Sequence, residues 1–225
     1  MSNLSLQTKR SFAARATAGL LMASLALFAV TATSAEAHQP KAPSYGLHVG
    51  VTKPVGGATV VTLDPAAITA LTSLGIAVAP TAPATSPSAG VLSFPVTGGR
   101  INYIKLRHGR DMWKQLAGWV DHSGGMTLTK APVAPAVTPT VVSVSNLRIN
   151  LSAGRSGAIS GKVNSSSDRT NLFRMSTPVV DPLDRSVSST LSLTKDAANA
   201  LNGAFGTTAF TEGMKIATAK TTPTF

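Results

Sequence analysis

Apolar and polar residues alternate in several short segments of the chain, and each of these segments predicts a β-strand. The segments are residues 59–63, 91–96, 119–129, 141–151, 158–163 and 187–193. A period of two places every second side chain on one face of a sheet. In 141–151 the apolar phase slips by one residue between Val144 and Leu147, which predicts a bulge or a change of strand. Ser123-Gly124-Gly125 likewise predicts a turn or bulge.

Directly after the predicted strand at 59–63, the apolar residues follow a helical period instead. Asp64 and Pro65 supply an N-cap and a proline at the first helical position. The next apolar residues recur at three-residue spacing, and Gly75 is a natural C-cap. The pattern predicts a short helix with one buried face, formed by Ile68, Leu71 and Leu74.

The same strand-to-helix pattern occurs twice. Residues 61–71 are echoed by residues 191–201, with Asp64 and Thr194 at equivalent cap positions and Gly75 and Gly206 after the two helices. The two segments therefore predict a shared strand–helix unit, although two Ala-rich helices could also match by chance. Together the patterns predict a mainly β fold: a single β-sandwich or open barrel with two short capping helices. Residues 80–90 are predicted to be a Pro/Ala/Ser/Thr linker.

The amino-terminal residues are typical of a helical secretory signal peptide. Lys9, Arg10 and Arg15 precede an uncharged apolar stretch, and Ala35-Glu36-Ala37 predicts cleavage after Ala37. An uncleaved anchor is the alternative, but the strongly apolar run of about 11–13 residues is shorter than the ~20 that span a bilayer. We therefore predict a signal peptide at 1–37, a flexible arm at 38–56, a β-sandwich domain at 57–225, and a secreted protein without a transmembrane segment after cleavage.

Charge and composition narrow the possible functions. The chain has 20 Lys and Arg against 9 Asp and Glu, a formal net charge of +11, and no cysteine. Removing the predicted signal peptide leaves 17 basic and 8 acidic residues, or +9. The absence of cysteine excludes disulfides, thiolate nucleophiles and cysteine-based zinc sites.

The sequence offers no catalytic or metal-binding constellation. The four histidines, at 38, 48, 108 and 122, are not spaced to place two ligands on one face. Asp121, His122 and Ser123 are consecutive, and neighbours on a strand point to opposite faces, so they cannot form a catalytic relay. Asp181 and Asp184 belong to a predicted proline turn. We predict that the protein is not an enzyme and that His122 is a structural turn residue.

One segment concentrates positive charge. Residues 100–114 interleave basic and aromatic side chains, which suits an anionic polymer or lipid headgroups without specific binding of nucleic acid. The alternative is a solvated face that keeps the protein soluble. The predicted contact residues are Arg100, Lys105, Arg107, Arg110, Trp113 and Lys114.

Two further stretches carry a family resemblance. Residues 92–100 (LSFPVTGGR) and 116–128 (LAGWVDHSGGMTL), with the two strand–helix units, resemble exported bacterial β-rich proteins and are distantly similar to the HtaA-type domains that actinobacteria use for haem capture. The resemblance implies haem as an alternative ligand, held in that family by a tyrosine. The candidate ligand-binding residues here are Tyr45, Tyr103 and His122, of which His122 matches the family's motif histidine.

The sequence therefore predicts a secreted, non-enzymatic protein associated with the cell envelope. Its basic face would bind anionic cell-surface polymers, with no cofactor. The alternative is an HtaA-like module that binds haem or another small ligand.

Overall fold

The computed structural model describes residues 47–106, 117–152, 155–181 and 184–225. These ranges contain strands and two helices, numbered here in chain order. The strands are β1 Leu47–Thr52, β2 Gly56–Leu63, β3 Ile76–Thr81, β4 Thr85–Ser88, β5 Val91–Leu106, β6 Ala117–His122, β7 Gly125–Lys130, β8 Thr140–Ser152, β9 Arg155–Val163, β10 Arg169–Met175, β11 Val179–Asp181, β12 Ser186–Leu193 and β13 Lys215–Thr224. The helices are α1 Pro65–Ser73 and α2 Lys195–Phe205.

Eight of the strands form a closed antiparallel barrel. Their order around the ring is β5, β2, β13, β12, β10, β9, β8 and β6, and β6 pairs again with β5. Closure is possible because β5 is long enough to pair with β2 over one part of its length and with β6 over another. The predicted mainly β fold with two short helices is confirmed, and the pairing shows that the barrel is closed.

The predicted phase slip in β8 marks a change of partner. Residues 140–145 of β8 pair with β7, and residues 148–151 pair with β6. Between them Asn146 has a φ of 51°, and the register with β9 shifts between Ser145 and Arg148. This bulge keeps Val144 and Leu147 both buried despite their odd spacing.

The glycines after His122 make the matching break between β6 and β7. Gly124 has a φ of 79°, and a Cβ at this position would lie 2.5 Å from the backbone nitrogen of Ala84. A Cβ on Gly125 would lie 2.1 Å from the carbonyl oxygen of Val144. Only glycine fits this corner, where the chain leaves the barrel ring and continues as β7 on its flank.

Both helices are capped as the sequence predicts. The Asp64 side chain accepts a hydrogen bond from the Ala66 nitrogen, and the Thr194 hydroxyl accepts one from the Ala197 nitrogen. Gly75 and Gly206 follow the two helices in the left-handed conformation, with φ of 67° and 61°. Within the described ranges neither helix has both the length and the apolar character needed to cross a bilayer.

The buried face of α1 differs from the prediction. Leu71 is buried as expected, but Ile68 is 39% exposed, and Ala67 takes the inward position instead. The reason is that the helix packs closely on the barrel through a small residue, which turns Ile68 towards its rim.

The linker predicted at 80–90 is wrong. Its first residues end β3, which pairs with β7, and residues 85–88 form β4 beside β5. Ala84 between them is buried. Pro80 is tolerated because β3 lies at the edge of the described sheet. Similarly, residues 47–52, within the segment 38–56 predicted as an arm, form β1 and pair with β5.

Candidate functional site

His122 lies inside the barrel, at the end of β6. Its side chain is 5% exposed, and its register partner on β5 is Val96. The ring Nε2 lies 2.7 Å from the hydroxyl oxygen of Thr59, which is 2.8 Å from the hydroxyl oxygen of Thr221. Three strands that are distant in sequence thus bring one imidazole and two hydroxyls together in the interior.

Burial keeps the His122 ring neutral. Desolvation lowers its pKa from 6.5 to about 4. Three smaller effects favour the protonated ring, in order the Leu147 backbone, the charge of Asp121 and the Val120 backbone. Nδ1 makes no hydrogen bond of ordinary geometry within the described part of the chain. At neutral pH the ring therefore carries one proton and shares a hydrogen bond with Thr59.

Asp121 points away from His122, as the alternation of the strand predicts. Its carboxylate accepts two hydrogen bonds from Arg148, at 2.6 Å from Nε and 3.1 Å from a terminal nitrogen. The Arg148 guanidinium also lies 5.6 Å from the centre of the Trp119 ring. This cluster occupies the outer surface of the barrel, so Asp121 and His122 do not form a catalytic pair.

The predicted basic segment is only partly described. Arg100, Tyr103 and Lys105 lie on β5, where Tyr103 is paired with Gly50 and Lys105 with His48 of β1. Arg100 is exposed. The remaining predicted residues lie outside the described ranges: Tyr45, Arg107, Arg110, Trp113 and Lys114. Residues 101–106 of β5 belong to this segment and pair with β1 to form a two-stranded ribbon, whereas Arg100 pairs with Trp119 of β6.

The structure separates two of the candidate ligand-binding residues. His122 of β6 is paired with Val96 of β5, and Tyr103 lies seven residues beyond Val96 on β5. At about 3.3 Å per residue this is a backbone distance of about 23 Å. His122 and Tyr103 therefore do not belong to one binding site.

A cavity of about 200 Å³ lies between the barrel and the two helices. Its walls are almost entirely aliphatic and aromatic, and they include Leu63, Leu92, Leu128, Leu172, Leu201 and Phe210. Besides Leu71 and Leu201, the helices contribute small side chains, which are Ala67 from α1 and Ala197, Ala200 and Ala204 from α2. The space exists because alanines face the barrel where larger side chains would fill it.

The cavity opens on one side. Three of its lining residues, Ala200, Ala204 and Asn164, are exposed to solvent. They place the mouth between α2 and the end of β9.

No group of three or more acidic or histidine side chains in the described ranges could hold a metal ion. The sequence pattern points to His122 but not to its partners or to the cavity. Thr59 could have been found, because it is a polar residue in the buried phase of a predicted strand, but Thr221 could not, because no apolar alternation marks β13. The cavity could not, because it depends on how the helices meet the barrel.

Comparisons with known proteins give a likeness of fold. The structure is similar to a haem-binding protein, HtaB of Corynebacterium glutamicum, with a TM-score of 0.50 and 13% identity over 80% of this chain and 96% of that one. The C-terminal domain of HtaA from the same organism gives a TM-score of 0.48 and 15% identity over 79% of this chain and all of that one. No protein-family model matches the chain, and no curated protein matches it significantly. The predicted similarity to HtaA-type domains is thus confirmed at the level of structure.

Proposed function

We propose that this protein is an exported, non-enzymatic binding module, and that its ligand is haem. The proposal is supported by the barrel fold that the chain has in common with the haem-binding protein HtaB. Export is supported by the signal-like pattern at 1–37. We test haem before a cell-wall polymer, because haem has both carboxylates for basic residues and a flat ring for aromatic residues. The segment 100–114 contains both residue types.

The two interior features do not fit haem. The cavity of about 200 Å³ is smaller than the roughly 300–1,000 Å³ of pockets that enclose drug-sized ligands, and it offers no cation to the two propionates. His122 is enclosed, and its Nε2 is engaged with Thr59. Neither feature therefore enters the proposed haem site.

The β1–β5 ribbon contains residue types that suit haem. Tyr103 is the residue that would hold the haem iron, since a tyrosine oxygen is an established haem-iron ligand. Lys105, two residues from Tyr103 on β5, is the candidate partner for a propionate. Bound haem would supply the iron that tyrosine ligates, and capture itself requires no chemical step.

Titration of the purified full chain with haemin tests the proposal. We expect a shifted Soret band at one equivalent, lost in Tyr103→Phe and retained in His122→Gln. Tyr45→Phe is the matched control, because it removes the other tyrosine hydroxyl. Lys105→Glu should weaken binding severalfold, as expected for the loss of one ion pair, whereas Arg100→Glu should leave it unchanged.

Several results would contradict the proposal. An unshifted Soret band would exclude haem binding, and equal titrations of the native chain and Tyr103→Phe would exclude this ligand. If haemin does not bind but the chain binds isolated cell walls, and Arg100→Glu weakens that binding, the anionic-polymer function replaces it.

A further inference from the structure

We propose that the cavity between the barrel and the two helices is a second binding site, for a small uncharged apolar molecule. This site does not depend on the haem proposal, because the cavity lies at the helix-covered end of the barrel and shares no residue with the β1–β5 ribbon. The occupant is a compact hydrocarbon-like molecule of one or two rings.

Volume sets the size of this molecule. A buried apolar cavity of about 150 Å³ stays dry and accepts benzene. The present cavity is larger, at about 200 Å³, and admits a substituted benzene or a fused two-ring molecule. It is too small for a porphyrin or a long acyl chain.

The walls set the chemistry. The lining side chains are hydrocarbon apart from the thioethers of Met126 and Met214 and the amide of Asn164. The Asn164 side-chain oxygen already accepts a hydrogen bond from the Ser143 nitrogen, at 2.9 Å. A carboxylate or ammonium group placed among the hydrocarbon side chains, away from Asn164, would lose its hydration without gaining a partner, so the site selects uncharged molecules.

Access is through the face of α2. Ala200 and Ala204 line the cavity and are also exposed, and Asn164 lies across the mouth from them. A bulky side chain at either alanine would obstruct the mouth while leaving the barrel core unchanged. Asn199, also exposed on α2 but absent from the lining, provides a matched control position.

The experiment compares two probes that share one ring system. Naphthalene and 2-naphthoate are added to the full chain labelled at Leu and Val methyl groups, and chemical shifts are followed by NMR. We expect naphthalene to shift the methyl resonances of Leu63 and Leu201 saturably and to raise Tm by mass action. 2-Naphthoate should bind at least about tenfold more weakly.

Two substitutions test the location. Ala204→Trp and Ala200→Trp should each weaken naphthalene binding by about tenfold or more, and Asn199→Trp should leave it unchanged. Circular dichroism of each variant establishes that it is folded. Absence of methyl shifts up to the solubility limit of naphthalene would overturn the proposal. Equal affinities for naphthalene and 2-naphthoate would also overturn it. The same holds if Asn199→Trp, Ala200→Trp and Ala204→Trp are all folded and bind naphthalene equally well. The Soret titration is a separate readout, so failure of one proposal is distinguishable from failure of the other.

Discussion

Replacing His122 by glutamine tests whether a neutral imidazole is held inside the barrel. Glutamine keeps a polar group that can reach Thr59 but removes the titration. In the native chain the folded pKa is about 4, and the unfolded ring titrates near its ordinary value of 6.5. As pH falls through 6.5, the unfolded state takes up a proton that the folded state refuses, so the free energy of unfolding decreases until the pH passes the folded pKa.

The size of the effect follows from these two values. One pH unit of difference between folded and unfolded pKa corresponds to about 1.4 kcal/mol, so His122 should account for a loss of about 3 kcal/mol between neutral pH and pH 4. The loss is nearly absent above pH 7 and steepest between the two pKa values. Carboxylates also titrate in acid, but they are common to the native chain and His122→Gln and cancel in the difference.

Urea denaturation followed by circular dichroism measures the effect. The free energy of unfolding is determined for both chains at several pH values from about 7.5 to 4.5. His122→Gln can change the free energy of unfolding at neutral pH. As the pH falls from there, the free energy of unfolding should decrease faster for the native chain than for the variant. Parallel curves for the two chains, or a native chain that loses less stability than the variant in acid, would refute the reasoning.

Two further predictions concern local backbone structure. Gly124→Ala should destabilise the fold by more than about 1 kcal/mol, because φ is 79° and the new Cβ would meet Ala84. Gly203→Ala should stabilise the fold by about 0.5–1 kcal/mol, because a Cβ at this position in α2 meets nothing within 4 Å. Thermal unfolding of both variants checks these values, and a stabilising Gly124→Ala would contradict the geometry. Thr194→Ala removes the hydroxyl that accepts from the Ala197 nitrogen and donates to the Asn171 carbonyl oxygen, and should cost about 0.5–2 kcal/mol in urea denaturation. Thr194→Ser keeps the hydroxyl and is the control that should retain most of the stability; equal losses in the two variants would show that the hydroxyl does not matter.

Local chemistry explains the elements that could be predicted from the sequence. The bulge at Asn146 follows from a phase slip that is visible in the apolar pattern. The caps at Asp64 and Thr194 follow from side chains that compete for free backbone nitrogens. Each depends on residues close together in the chain, so one sequence is enough to detect it.

The parts that escaped prediction depend on distant pairing. β13 has small and polar residues, and its inward positions Ala217, Ala219 and Thr221 are buried only because β2 and β12 flank them. β3 contains proline and is recognisable as a strand only from its pairing with β7. The site has the same origin, since Thr59 and Thr221 meet His122 only after the barrel has closed.

The pairing of β2 with β13 has a consequence for how the chain folds. Thr59 and Thr221 are 162 residues apart in sequence but adjacent in the barrel. Pairings of such high contact order are formed late and slowly, so an intermediate with free edges on β2 and β13 should precede closure. Exposed edges can pair with those of another molecule, and lysine is a common protection against this. Lys215 and Lys220 point outward from β13, where they oppose edge-to-edge aggregation until β2 arrives.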